Sequence, residues 1–297
     1  MTHELPISVI IPSYKNEQML LKNLTHNLKF LKDCEVIVVN DYPQTPITNL
    51  LAHLPVHVIE RQKNGGFGPA VNSGISQATR SHLMLLNTDV ILHDDSYKRG
   101  LDQLMKDDRL FGVSFVQIER DGSRVGKNDI YWDRGLVQHR RATDLKYGEN
   151  GWAEGGSCIL KKSVVDSLGG FDEVYAPFYW EDVDLSYRAK KAGYSVIFDP
   201  EIEVTHHHET TTGTFDKTYV KMIAFRNQLL FTWRNISHHP WRAQHAARLS
   251  KLLTNAAIHR EWWVMRAYYD ALKRHATISH ATRYATLHDT DILKSHS

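Results

Sequence analysis

The chain has 297 residues, 42% of them hydrophobic and 24% charged, with a formal net charge of +2. That length and balance suit one large globular domain, or a domain with an appendage, and exclude an intrinsically disordered chain. A charge so close to zero gives no electrostatic footprint for nucleic acid, and no apolar run approaches the roughly 20 residues that span a bilayer.

Residues 7–11 form a β-branched run closed by Pro12 and read as a buried strand. Residues 17–31 carry Met19, Leu20, Leu24, Leu28 and Leu31 at helical spacing. Strands follow at 35–39 and 56–59, a helix at 68–78 and a strand at 82–86. This alternation implies a parallel, doubly wound sheet, whose ligands bind beyond the carboxyl ends of the strands. Residues 117–152 are polar and turn-rich, and read as a loop or a small excursion from the sheet. A strand is expected at 155–160, a helix at 181–192 closed by Gly193, and a last short strand at 195–198 ended by Pro200. Beyond about Phe215 the pattern changes to long helices without strands. The expected organisation is an α/β domain over residues 1–213 and a helical C-terminal extension over 214–297.

Cys34 and Cys158 lie in apolar stretches without a CxxC neighbour, so a reducing cytosol is expected rather than a disulfide framework. The segment from Met1 to Pro6 lacks the basic and apolar regions of a signal peptide. The protein is expected to be cytoplasmic, with peripheral contact at the inner face of the cell membrane left open.

Four segments carry candidate chemistry. Asn87-Thr88-Asp89 follows an apolar strand; if it is extended, Asn87 and Asp89 project to the same side. A carboxylate there suits Mg²⁺ or Mn²⁺ shared with a diphosphate, although an Asp after a strand is also an ordinary turn residue. Trp180-Glu181-Asp182-Val183-Asp184 opens a helix, where carboxylates favour the helix dipole and where one of them can serve as a general base. At helical spacing Glu181 and Asp184 share a face and Asp182 points elsewhere. The aromatics before it, Phe171, Tyr175, Phe178, Tyr179 and Trp180, can line a sugar site or simply form core. His206-His207-His208-Glu209 follows the last strand, and His206 or His208 is the better-directed metal ligand. Asn64-Gly65-Gly66-Phe67-Gly68 opens a helix without matching GxGxxG, and its glycines and helix N-terminus favour a phosphate or merely a tight turn.

In this order the pieces resemble the family 2 glycosyltransferases of GT-A fold, rhamnosyl- and galactofuranosyl-transferase-like members included, over about residues 7–213. Ser8 to Tyr14 looks like the family's opening strand, and Val38-Val39-Asn40-Asp41 like its acidic turn at the nucleoside. Asn64 to Ile75 is similar to its donor segment, and Asn87-Thr88-Asp89 to its DxD-type metal motif. Gly169 to Glu173 and Glu181 to Asp184, with Arg188 and Gly193, resemble its acceptor-side motifs. The resemblance implies a Rossmann-like, mostly parallel sheet and an inverting transfer of one hexose or deoxyhexose from a UDP- or dTDP-linked sugar. The acceptor it implies is a glycan or a lipid-linked sugar in bacterial surface polysaccharide or glycolipid assembly. It implies Asp182, with Glu181, as catalytic residues, and Asp89, His206 and His208 as metal ligands. It places Pro12, Ser13, Tyr14, Glu17, Asn40, Asp41, Asn64, Gly65, Gly66, Phe67, Asn72, Asn87 and Thr88 at the donor. Gly155, Gly156, Trp180, Asp184 and Arg188 fall at the acceptor. Lys15 and Asn40 depart from the usual pattern, and the QxxRW motif of processive polymerases is missing, which favours single-sugar addition.

The helical extension combines Arg226, Arg234, Arg242, Arg248, Lys251, Arg260 and Arg266 with Trp233, Trp241, Trp262 and Trp263. A basic aromatic helix can lie on an anionic membrane; helices that pack on the catalytic domain, or join subunits of a homo-oligomer, explain it equally. Two rival functions remain at this stage. A sugar-phosphate nucleotidyltransferase should carry a Gly-rich basic loop after the first strand, where Pro12-Ser13-Tyr14 stands. A non-catalytic carbohydrate-binding protein has no need of Asp89, Asp182 and His206 together.

Overall fold

The structure, a computed structural model, describes residues 4–206, 212–276 and 286–296. Its first half alternates β1 (Ile7–Ser13), α1 (Glu17–Asn27), β2 (Glu35–Asn40), α2 (Thr48–Leu51), β3 (His57–Glu60), α3 (Phe67–Gln77) and β4 (His82–Leu86). Next come β5 (Val90–Leu92), α4 (Tyr97–Lys106), β6 (Leu110–Ile118), β7 (Arg124–Val125), β8 (Asn128–Asp133), β9 (Leu136–Arg141) and β10 (Gly148–Glu149). The chain continues through β11 (Ser157–Lys161), α5 (Lys162–Ser167), α6 (Glu181–Lys191) and β12 (Ser195–His206). It closes with α7 (Lys217–Asn235), α8 (His239–Ile258), α9 (Trp262–His275), α10 (Asp289–Ile292) and β13 (Lys294–His296).

The main sheet has the order β10-β12-β6-β11-β4-β1-β2-β3. β1, β2, β3 and β4 run parallel, and the largely buried apolar runs of β1, β2 and β4 are those of strands covered on both faces. β11 is inserted antiparallel between β4 and β6. Alternate side chains feed two cores. Val9, Ile11, Val38 and Met84 pack with α1 and α4 on one face, and Ile10, Ile37, Val39 and Leu85 pack under α3, α5 and α6 on the other. A third core lies beyond the sheet. Trp132, Val137, Trp152 and Tyr187 pack there against Leu229, Leu230, Phe231 and Leu293, so the helices after residue 213 share a core with the segment before it.

Three expectations are corrected. The stretch 117–152 is not a loop, because it holds β7, β10 and the hairpin β8–β9, whose two-residue turn places Arg134 and Gly135 at φ 44° and 89°. Pro200 does not end the last strand. β12 runs on to His206, with a register shift between Asp199 and Glu203 that absorbs the residue lacking an N–H donor. The C-terminal region is not free of strands, since β13 pairs in parallel with β8.

Candidate active site

A cavity of about 700 Å³ opens at the carboxyl ends of β1 and β4, between the N-termini of α3 and α6. It is lined by Asn87, Thr88 and Asp89, by Gly155 and Gly156, and by Glu181, Asp182 and His206. Residues 87–89 form a turn rather than an extended segment, closed by the Val90 N–H donating to the Asn87 carbonyl at 3.1 Å. Both Asn87 and Asp89 still reach the cavity. Two asparagines of α1 hold this turn in place: Asn23 donates to the Thr88 carbonyl (2.8 Å) and Asn27 to that of Val90 (2.9 Å).

Asp89 and His206 meet at the end of β12, with His206 Nε2 3.3 Å from Asp89 Oδ1. His206 Nδ1 lies 2.7 Å from Gln117 Oε1, and the amide NH₂ of Gln117 is committed to Glu154. The amide therefore presents its oxygen, and the ring donates from Nδ1. Nε2 thus faces a carboxylate oxygen, an arrangement that a shared proton or a cation would satisfy. A carboxylate and an imidazole fit Mg²⁺ or Mn²⁺ once diphosphate and water oxygens complete the shell. Among the described residues no third His, Cys, Asp or Glu joins them in a cluster, and His208 lies outside the described residues.

Asp182 stands at the N-terminus of α6. Its carboxylate accepts from the Gly155 N–H (3.1 Å) and the Val183 N–H (2.8 Å). Burial, aided by the charge of Glu154, pushes its pKa up to about 6. Burial and then the Asp182 charge hold Glu181 well above the ordinary carboxylate range, and Glu181 Oε2 has no hydrogen-bond partner. Of the two, Glu181 is held the more strongly toward its protonated form, which leaves Asp182 as the carboxylate that ionises first. The expected grouping is reversed, since Glu181 and Asp182 face the cavity together and Asp184 faces away.

The walls combine the expected aromatics Phe178, Tyr179 and Trp180 with residues the sequence did not single out, His139 and Glu154 among them. His139 of β9 sits edge-on to Trp152 and Trp180, at 5.4 and 5.2 Å between ring centroids, and burial lowers its pKa so that it is neutral. Glu154 accepts from Asn128 Nδ2 at 2.7 Å and from Gln117. The loop before α6 supplies Pro177, Phe178, Tyr179 and Trp180. Tyr179 and Trp180 both adopt left-handed backbone, φ 73° and 77°, a strain of about 1–3 kcal/mol each. Asn227 and Arg226 of α7 offset it. Asn227 Nδ2 donates to the carbonyls of Tyr175, Phe178 and Tyr179, and Arg226 to those of Tyr175 and Ala176.

Of the residues expected at the donor, Pro12, Ser13, Tyr14, Asp41, Asn64, Gly66 and Phe67 line the cavity. Asp41 accepts from Arg61 Nη1 (2.8 Å) and from the Gly65 and Gly66 N–H groups (3.0 and 2.7 Å), so its carboxylate shapes the glycine turn. Several expected residues do not line the cavity. The Asn40 carboxamide is spent on Tyr42, Thr45 and Glu60, and Asn72 is paired with the Phe171 backbone. Glu17 opens α1 away from the cavity. Asp184, fully buried, accepts from Tyr175, Asn235 and Arg188, and Arg188 also ties down the Leu168 and Gly170 carbonyls. Both brace the segment that leads to the Pro177–Trp180 wall of the cavity. Phe171 and Tyr175 are core.

The sheet order and the reversed β11 are those of a GT-A fold. Residues 8–169 match the family model described as Glycosyl transferase family 2, and the chain belongs to that family. It is 43% identical to an N-acetylglucosaminyl-diphospho-decaprenol L-rhamnosyltransferase of Mycobacterium tuberculosis, over 57% of this chain and 64% of that protein. It is 25% identical to a pre-mycofactocin glycosyltransferase of the same species, over 69% of this chain and 43% of that protein. The chain thus spans less than two thirds of the length of these relatives. Among solved structures, that of GalNAc-T7 with UDP, GalNAc and Mn²⁺ superposes on 91% of this chain and 57% of its own, with a TM-score of 0.64 and 16% identity. The mannosyltransferase PcManGT of Pyrobaculum calidifontis with GDP-Man and Mn²⁺ covers 91% of this chain and 87% of its own, at a TM-score of 0.55 and 15% identity. At those identities the likeness carries the fold alone.

Proposed function

We propose that this chain transfers a single hexose or deoxyhexose, with inversion, from a UDP- or dTDP-linked sugar to a hydroxyl of a glycan or lipid-linked acceptor, with Mg²⁺ or Mn²⁺ bound by Asp89 and His206. The observation that carries the reading is the convergence of that pair and the carboxylate of Asp182 on one cavity, joined through Gly155 and Gly156. Asp182 accepts the proton of the acceptor hydroxyl as its oxygen bonds to the anomeric carbon and the C–O bond to the nucleoside diphosphate breaks on the opposite side. The diphosphate leaves with the electron pair, and a bound divalent ion supplies countercharge there. Tyr14, set edge-on to Tyr42 at 5.4 Å with Lys15 over both rings, offers an aromatic surface for the nucleobase. Residues 1–213 carry the chemistry in this reading, and 214–297 brace the loop and hairpin that face the acceptor. The name of the mycobacterial relative supports rhamnose as the sugar and a diphosphate-linked lipid as the acceptor; the reading is completed by use at the cytoplasmic side of a membrane, in surface-glycan assembly.

The test is a thermal-shift screen of nucleotide sugars with and without Mn²⁺, followed by release of nucleoside diphosphate from the stabilising donor. Stabilisation that needs both ligands is expected; a donor response indifferent to the metal would remove Asp89 and His206 from their role. Gln117→Leu frees the His206 ring from its tautomer-fixing partner and should weaken Mn²⁺ binding about 10–100-fold. Titration of Mn²⁺ followed by electron paramagnetic resonance measures this without any turnover. Unchanged affinity would make Gln117 a bystander.

A further inference from the structure

We propose that the outer face of α9 is a docking surface for an anionic lipid bilayer. The inner face of this helix, Val264, Ala267 and Ala271, is buried. At about 100° per residue, Trp262, Arg266, Tyr269 and Lys273 fall within roughly 60° of arc on the opposite side. Trp262 is 66% and Tyr269 60% exposed, and Leu272 (43%), about 60° of arc beyond Tyr269, extends the apolar surface. Lys273 Nζ lies 4.5 Å from the Tyr269 ring centroid, so cation and aromatic are interleaved. Amphipathic rings and long basic side chains are the combination that seats a helix at the boundary between headgroups and acyl chains.

The charge pattern selects the partner. Asp270 is turned off this face toward Arg226 and Arg274, at 2.9 and 3.6 Å, and Glu261 lies about 100° round the helix from Trp262. A two-fold contact between copies would set the stripe against itself, opposing Arg266 and Lys273 to like charges without a carboxylate between them. An anionic surface matches both cations. Not every cation of the helical region belongs to this face: Arg226 and Arg234 are buried in ion pairs with Asp270 and with Asp172 and Asp184. The patch also adjoins the active site. Trp263 and Ala267 of α9 pack in one cluster with Phe178, a cavity-wall residue, and Arg274 donates to the Val174 and Ala176 carbonyls. This inference rests on the lipid-linked acceptor reading for its purpose, because a docked α9 holds the cavity close to an acceptor anchored in the bilayer.

The experiment is co-sedimentation of the full chain with vesicles of phosphatidylcholine alone and of phosphatidylcholine mixed with phosphatidylglycerol. Partition at least about tenfold stronger onto the mixed vesicles is expected. Arg266→Glu with Lys273→Glu should abolish that preference, and Trp262→Ser with Tyr269→Ser should weaken binding to both. Circular dichroism and metal-dependent hydrolysis of the donor in solution should be unchanged in both double variants. Absence of vesicle binding, equal binding by wild type and variants, or a concentration-dependent dimer that these substitutions dissolve would each overturn the proposal. Absence of donor hydrolysis by the wild type would instead count against the glycosyltransferase chemistry, whatever the vesicles show.

Discussion

Asp182→Asn is expected to lower kcat/KM about 10²–10⁴-fold, the usual loss when a positioned base is removed, and at the same time to raise stability at neutral pH. The two effects share one cause. Burial raises the carboxyl of Asp182 to about 6, against about 3.9 for an unperturbed Asp. The folded protein therefore holds a proton there that the unfolded chain has released. Stability from this group is present below pH ~4, declines as the pH rises through about 6, and leaves a deficit of up to ~3 kcal/mol above it. The amide removes that deficit, so the variant should melt higher than wild type at pH 7.5 and the two should converge below pH ~4. Wild-type kcat/KM should rise with pH through about 6, shaped by Glu181, Glu154 and His139 around the same carboxylate. Nucleotide-sugar affinity should be unchanged. A variant with near-normal turnover, or one that melts lower at pH 7.5, would remove Asp182 as the base.

Asp289→Ala is expected to cost about 3–5 kcal/mol, the penalty for breaking a buried ion pair. Asp289 is 1% exposed and accepts from Tyr187, from Ser237 and from the His238 N–H, with Lys191 Nζ at 2.7 Å. Burial alone would raise its pKa, but Lys191 and Tyr187 together hold it below the ordinary Asp range. Its stabilising contribution is therefore present above that range and lost as the pH falls through it. These contacts fasten the segment 286–296 to α6 and to the turn between α7 and α8, and that segment places β13 beside β8. Hydrogen exchange should show faster exchange in β13 and β8 while β1 and β4 keep their protection. Equal exchange throughout would mean that the segment braces nothing.

The parts of this molecule legible in the sequence are those whose signal is local. β1 and β4 are predominantly apolar runs, the motif at 87–89 directly follows one, and those at 181–184 and 206 are short clusters of carboxylates and of histidines. The hairpin β8–β9 was hidden because Arg134 is a poor marker for a turn that prefers Asn or Asp at positive φ, and because Asn128 and Asp129 dilute the alternation at its start. Gln117 and Glu154 carry no local signature at all. They become recognisable only when β6, the segment before β11 and the end of β12 are brought side by side. The same holds for Arg226 and Asn227, which read as one more basic position in a helix yet hold the strained turn at Tyr179 and Trp180. Asp184 and Arg188 erred the other way. Their i,i+4 spacing let them satisfy each other under the surface, out of reach of a sugar.

Because β11 runs against its neighbours, the peptide groups of Gly155 and Gly156 fall at the open end of β4, where the Asn87 N–H donates to the Gly156 carbonyl at 2.9 Å. A methyl group at 156 would stand 2.7 Å from the His206 ring and 3.0 Å from the Asn87 amide. In the proposed reading the cavity floor at Gly156 is thus bare main chain, with no room there for a side chain that could tell one hexose from another. Selectivity is left to the Pro177–Trp180 bend and to the ribbon bearing His139, Arg140 and Arg141. Exchange of those stretches between relatives should retarget the enzyme without disturbing the floor.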